Sequence, residues 1–196
     1  MSSLSLRNST ALCTAAIMVR MSLAPSPPAW AIRPLTAGDV ERLLHIQTVT
    51  YGPGLQEDRD VFARRLTCAH HCSVGAVGQH DDRLLAYLVA YWAAFGHVTP
   101  LNGDFDAPPE HGRVLYIHDI AVLPDLAGQG VAQRLIGHLL AQARLQHVRQ
   151  AALVAVQGSM PFWRRQGFAE HTLTNATELG HLRSYGPGAV FMSTAL

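Results

Sequence analysis

The ten residues Leu123-Pro124-Asp125-Leu126-Ala127-Gly128-Gln129-Gly130-Val131-Ala132 constrain this chain more than any others. They join an apolar run over 114–122 to a stretch over 128–147. In that stretch Val131, Leu135, Ile136, Leu139, Leu140 and Ala143 fall on one helical face. Pro124 ends the first element, and Gly128 and Gly130 let the chain turn into the second. A strand that turns straight into a helix leaves the first helical amides without internal partners. Those amides, the helix dipole and a glycine backbone open to close approach together suit a phosphate. Small Ala132 keeps the entrance open.

Gly-x-Gly alone also fits a plain turn. The dinucleotide fingerprint needs a further glycine three residues past Gly130, and Arg134 and its neighbours supply none. No Lys-Ser or Lys-Thr pair follows, as a nucleoside-triphosphate loop would require. The segment therefore reads as a pyrophosphate cradle of another class.

The rest of the chain alternates strand and helix signals. A strand over 30–34 precedes Thr36-Ala37-Gly38-Asp39, a capping-box pattern. Val40, Leu43, Leu44 and Ile46 then recur at helical spacing up to the turn Tyr51-Gly52-Pro53-Gly54. A second helix is expected over 58–67, and a hairpin of strands over 72–77 and 84–92. A long loop follows to about residue 112, with Asp104, Asp106 and Glu110 in it. Beyond the cradle come a strand over 151–156, a short helix over 160–166 stopped by Gly167, and strands over 168–174 and 189–194.

The 196 residues allow one compact domain, expected over 29–196. A net charge of +1 and no basic stripe argue against nucleic acid; Arg144 to Arg149 reads as a solvated face. Cys13, Cys68 and Cys72 lack the spacing of a disulfide framework, which fits a reducing cytoplasm. Cys68-Ala69-His70-His71-Cys72 is one cluster without a second ligand pair, so no metal site is expected. Residues 1–28 resemble a leader, with Arg7 before a short apolar run. That run is too short to span a membrane, and a disordered tail, or a start misassigned upstream of Met18 or Met21, is the favoured reading.

His118-Asp119-Ile120-Ala121-Val122-Leu123-Pro124, followed by Ala127-Gly128-Gln129-Gly130-Val131-Ala132, resembles the acetyl-CoA-binding motif of the GNAT superfamily of N-acetyltransferases, Gln/Arg-x-x-Gly-x-Gly/Ala. Gly130 and Ala132 match; Ala127 stands where Gln or Arg is usual. Ser159-Met160-Pro161-Phe162-Trp163-Arg164-Arg165-Gln166-Gly167-Phe168 resembles a second block of that family, Ala-x-x-Phe-Tyr-x-Lys-x-Gly-Phe. The resemblance implies a mixed α/β (α+β) fold: a mostly antiparallel twisted sheet of about 6–7 strands, splayed between 114–122 and 151–156, with helices on both faces. It implies that Ile120, Ala121 and Val122 bond the pantetheine arm of acetyl-CoA through their backbone, and that Ala127 to Ala132 hold the pyrophosphate. Ser159, Phe162, Trp163 and Arg165 would line the coenzyme's other side. A homodimer is also implied. The implied reaction is acetyl transfer to a primary amine of a small molecule or peptide. A non-catalytic acyl-CoA-binding module and transfer to a hydroxyl or of another acyl group are the alternatives.

Such a transfer needs a base for the amine, fixed donors for the oxyanion, and either an acid for the thiolate or a thiolate that leaves unaided. His118 is the first choice for the base, its ordinary pKa being about 6.5. On a regular strand Tyr116, His118 and Ile120 share one face, Ile117 and Asp119 the other. In one member of the superfamily histidines stand at positions matching Tyr116 and His118; a bulge, common in that strand, would bring Asp119 inward instead. Trp163 occupies the place of the family's proton-donating tyrosine, and an indole does not titrate usefully. Tyr185, Tyr116 or water is then left to supply the proton. On the acceptor side the resemblance nominates Tyr51, Trp92, Asp104, Asp106 and Tyr185, the two aspartates by attraction for a cationic amine.

Overall fold

The computed structural model describes residues 29–51 and 53–196. The expectations for residues 1–28, Cys13 included, lie outside the described residues. The elements run β1 (Trp30–Pro34), α1 (Val40–Thr50), α2 (Arg59–Thr67), β2 (Val74–Gly78), β3 (Leu84–Ala93) and β4 (Val114–Val122). They continue with α3 (Val131–Leu145), β5 (Gln150–Ala155), α4 (Met160–Arg165), β6 (Ala169–Glu170), α5 (Ala176–Arg183) and β7 (Val190–Ala195). The strands form one sheet in the order β1-β2-β3-β4-β5-β7-β6.

Helices cover both faces. Against one, Val131, Leu135, Ile136 and Leu139 of α3 pack on Leu115 and Ile117 of β4. Against the other, Leu43 and Ile46 of α1 and Phe62 and Leu66 of α2 pack on Tyr87, Val89 and Tyr91 of β3. A strand covered on both sides gains by being apolar throughout, and β3 is buried along nearly its whole length. The capping pattern at Thr36 forms: Asp39 Oδ2 accepts from the Thr36 amide at 2.8 Å and from its hydroxyl at 3.0 Å. It closes a 3₁₀ turn over Ala37–Asp39 that leads into α1.

Among the described residues β4 and β5 are the one parallel pair, linked by the crossover helix α3. They pair only at Leu115–Ala151, Tyr116–Ala152 and Ile117–Leu153. Beyond Ile117 the two strands separate, and the far half of β4 has a neighbour only in β3. A bulge lies at the same point: Val89 pairs with Asp119 and Ala90 with Ile117, so His118 has no partner in β3. The surplus residue reverses the alternation. Ile117 and Ile120 both pack on the α3 side, while Tyr116 and Ala121 lie on the α1 side. The regular-strand expectation, with Tyr116, His118 and Ile120 on one face, is thereby corrected.

Two further elements differ from expectation. α3 begins at Val131 rather than Gly128, because Gly128 and Gly130 both sit at φ 75°, outside helical space. The strand expected over 168–174 shrinks to Ala169–Glu170, and α5 follows where no helix was expected. Asn175 caps α5, its Oδ1 accepting from the Thr177 amide at 2.8 Å and the Glu178 amide at 3.3 Å.

Leu135 is fully buried where α3 meets the sheet. Leu135→Ala should lower unfolding stability by about 2–5 kcal/mol, read from urea denaturation.

Candidate active site

The turn before α3 has the free donors that an anion needs. Ala127 N–H donates to Pro124 O at 2.9 Å and Gln129 N–H to Leu126 O at 3.2 Å, so these two close the turn on itself. Among the described residues, no protein acceptor takes the amides of Gly128, Gly130, Val131, Ala132 or Gln133. The cradle is thus narrower at its start than the span Ala127 to Ala132, and the amides of Ala127 and Gln129 drop out of it.

The separation of β4 from β5 exposes backbone. Leu123 N–H donates to Leu85 O at 3.1 Å, which turns alternate residues of β4 toward β3. Ala121, paired with Tyr87, belongs to that set and has no backbone group to offer a ligand. Ile120 and Val122 face the gap instead. A cleft of about 310 Å³ follows this gap, lined by Ile120, Val122, Ala132, Ser159, Phe162 and Trp163 among others. Trp163 is also packed edge-on against Phe162 and Phe168, and Ser159 Oγ accepts from the Val156 amide at 3.2 Å. Arg165 is exposed and does not line the cleft.

A smaller cleft lies behind the first, between Leu55, Glu57, Leu101 and Tyr185. Tyr51, His118, Asp119, Val154 and Val156 line both. Whatever enters from one side meets what enters from the other at these residues.

His118 is 2% exposed, and its Nε2 lies 2.9 Å from Glu57 Oε2. Glu57 is held from three directions. Arg65, itself fully buried, donates to both carboxylate oxygens. The Asn102 amide donates to Oε1 at 2.9 Å, and Gln47 clamps the Glu57 backbone through two bonds of 3.0 Å. Burial pushes the Glu57 carboxyl up, but the charge and hydrogen bond of His118 and the Arg65 pair outweigh it and hold it well below the usual carboxylate range. An ionised Glu57 can only accept, so Nε2 carries a proton. In the neutral imidazole Nδ1 then keeps a lone pair, and this buried atom has no partner among the described residues.

Asp119 is half-buried beside it. Tyr87 Oη donates to Oδ2 at 2.7 Å, and Tyr51 Oη lies 2.6 Å from Oδ1 and also 2.6 Å from the carbonyl of Ile120. Burial raises the Asp119 carboxyl above its ordinary value, against the lowering effect of both tyrosines.

Several expected site residues stand elsewhere. Tyr116 is buried against Tyr91, its hydroxyl without a partner among the described residues, and it lines neither cleft, because it lies where β4 is still paired with β5 at Ala152. Trp92 lies on the α3 face beneath the Arg113 guanidinium, 5.1 Å from the ring centroid. Asp104 pairs with Arg64 at 2.9 Å and Asp106 with His97 at 3.3 Å, both outside the clefts. The long loop contributes Leu101 to the smaller cleft and Phe105, which stacks on Tyr91 at 3.9 Å. Tyr185 does line the smaller cleft, but its hydroxyl donates to Thr99 O at 2.6 Å and burial pushes its pKa up. Glu57 escaped the sequence reading: it lies 61 positions from His118, in a segment without periodicity.

An open sheet splayed beside a glycine-rich helix start with unpaired amides is an arrangement suited to an extended, phosphate-bearing ligand. The acetyltransferase (GNAT) family model matches residues 40–168, and the chain belongs to that family. No curated protein matches it in sequence. Solved structures share its fold at low identity. The ribosomal-protein-S18-alanine N-acetyltransferase of Escherichia coli matches with TM-score 0.62 and 16% identity, over 85% of this chain and 93% of that one. Arabidopsis thaliana Naa50, in complex with a bisubstrate analogue, gives 0.59 and 14%, over 86% and 99%. The GphF GNAT-like decarboxylase, in complex with isobutyryl-CoA, gives 0.65 and 16%, over 84% and 98%.

Removing a buried ion pair's partner is costly, so Glu57→Gln should lower stability by about 3 kcal/mol at neutral pH. Because the folded carboxyl titrates below its unfolded value of 4.5, this contribution is complete above that pH and fades as the pH falls through and below it. Denaturation midpoints of wild type and variant should therefore converge on acidification.

Proposed function

We propose that this chain is an acetyl-CoA-dependent N-acetyltransferase acting on a primary amine of a small molecule or peptide, by direct attack in a ternary complex. The observation that carries the reading is the unpartnered Nδ1 of His118, backed by Glu57, at the junction of the two clefts. Acetyl-CoA supplies an activated acetyl carbon and a thiolate leaving group. The amides of Gly128, Gly130, Val131, Ala132 and Gln133 hold its diphosphate. Ile120 and Val122 offer strand-like bonds to the pantetheine arm, with Ser159, Phe162 and Trp163 along the opposite wall. His118 takes the amine proton at Nδ1. Glu57 fixes the imidazole through Nε2 and stabilises the cation that forms, the role of the third group in a nucleophile–base–orienter arrangement. Arg65 keeps Glu57 ionised.

One observation favours a second reading, a coenzyme-binding module without turnover. Trp163 is buried where the family carries a tyrosine, so α4 presents no titrating hydroxyl. A free-thiol assay over a panel of amines separates the two: release of coenzyme A thiol that depends on an amine supports the enzyme, and its absence with every amine supports the module.

His118→Ala should lower kcat/KM by roughly 100-fold at neutral pH and flatten the acid limb of its pH profile. Acetyl-CoA affinity by calorimetry should change little. By contrast Gly130→Val, forced into left-handed space, should weaken coenzyme A binding in the same calorimetry, since it distorts the cradle and leaves His118 intact.

A further inference from the structure

We propose that Asp119 carries a proton at neutral pH and delivers it, through the Tyr51 hydroxyl, to the sulfur that departs in acetyl transfer; the delivery rests on the function proposed above. Hydrogen-bond bookkeeping leads there. Three short oxygen–oxygen contacts form a line: Tyr87 Oη to Asp119 Oδ2 at 2.7 Å, Asp119 Oδ1 to Tyr51 Oη at 2.6 Å, and Tyr51 Oη to the Ile120 carbonyl at 2.6 Å. At such separations each contact is a full hydrogen bond and holds a proton. The two tyrosines bring one each, and the carbonyl brings none. The third belongs to Asp119.

The chain then has one direction. Tyr87 Oη–H donates to Oδ2, Oδ1–H donates to Tyr51 Oη, and Tyr51 Oη–H donates to Ile120 O. With an ionised carboxylate the one Tyr51 proton would have to serve two acceptors at once, leaving two half-buried oxygens 2.6 Å apart without a full hydrogen bond between them, a costly arrangement. The surroundings agree. Burial raises Asp119 most strongly and the Glu57 carboxylate raises it further, while Tyr51, Tyr87 and His118 oppose them. These are the titratable groups that face it, from the end of α1, β3, the segment before α2, and β4 itself.

Tyr51 lines both clefts, and its hydroxyl is tied to Asp119, which lines both, and to Ile120, which lines the larger one. It fills the role that Trp163 cannot. In the step, the C–S bond breaks and its electron pair stays on sulfur. The Tyr51 O–H turns from the Ile120 carbonyl to the sulfur and breaks as an S–H bond forms, and the Asp119 Oδ1–H bond breaks as Tyr51 regains its proton. Asp119 ends as a carboxylate, while His118 holds the proton taken from the amine. For an amine that enters as the free base, proton exchange through solvent returns both neighbours to their starting state with no net proton gained or lost; an amine that enters as its ammonium releases one proton to solvent.

The experiment is infrared difference spectroscopy on the protein without coenzyme, paired with kinetics. Asp119→Asn is the informative variant, because an amide donates to Tyr51 and accepts from Tyr87 as the protonated acid does, which keeps the fold. The wild type should show the C=O stretch of a protonated carboxyl at neutral pH, lost in Asp119→Asn and kept in His118→Ala. With acetyl-CoA and an accepted amine, Asp119→Asn and Tyr51→Phe should lower kcat by about 100-fold, remove its alkaline limb, and leave the KM for acetyl-CoA nearly unchanged. Absence of the band from wild type overturns the proposal whether or not acetyl transfer occurs. A band with wild-type kcat in Asp119→Asn overturns it equally.

Discussion

Between Ile117 and Asp119, β4 carries a residue that β3 does not match. A sheet strand has a side-chain period of two, so one surplus residue exchanges its faces from that point on. Here the exchange coincides with the loss of β5 as a neighbour. The near half of β4 is packed core, with Leu115 and Tyr116 buried on opposite faces. The far half turns the backbone amides of Ile120 and Val122 away from β3, and has two ionisable side chains, His118 and Asp119, at the point of change. Both clefts converge there because that is where the sheet ceases to be closed. The unpaired amides that begin at Gly128 lie one short turn further along the chain, so the exposed strand backbone and the open helix start follow one another within a few residues of β4 and α3.

Local sequence carried most of the architecture. The apolar run of β4, the one-sided face of α3 and the Gly128–Gly130 turn are short-range patterns, and each appears where periodicity and turn chemistry place it. α5 was missed because it buries little: all of its residues are exposed or half-buried, so no stripe marks it, and the capping Asn175 was its one local sign. The site was legible only in part. His118 and Asp119 stood out as polar residues interrupting an apolar strand. Glu57, Arg65, Asn102 and Tyr87 reach them through tertiary contacts over tens of residues, which no periodic signal records. Asp104 and Asp106 drew notice as acids in a long loop, yet arginine and histidine partners hold them at the surface.

The two neighbours on β4 sit in different hydrogen-bonding settings. His118 faces the Glu57 carboxylate, which Arg65 holds by donating to both of its oxygens. Asp119 faces two neutral phenols and no cationic partner of its own, which favours retaining a proton rather than releasing one. Two such settings meet at one point of β4. The bulge is what makes it possible. Without the surplus residue, His118 and Asp119 would point to opposite faces of β4, one toward α3 and the other toward α1. With it, both line the same pair of clefts, and a strand that otherwise serves the core presents two proton-handling groups to one small volume.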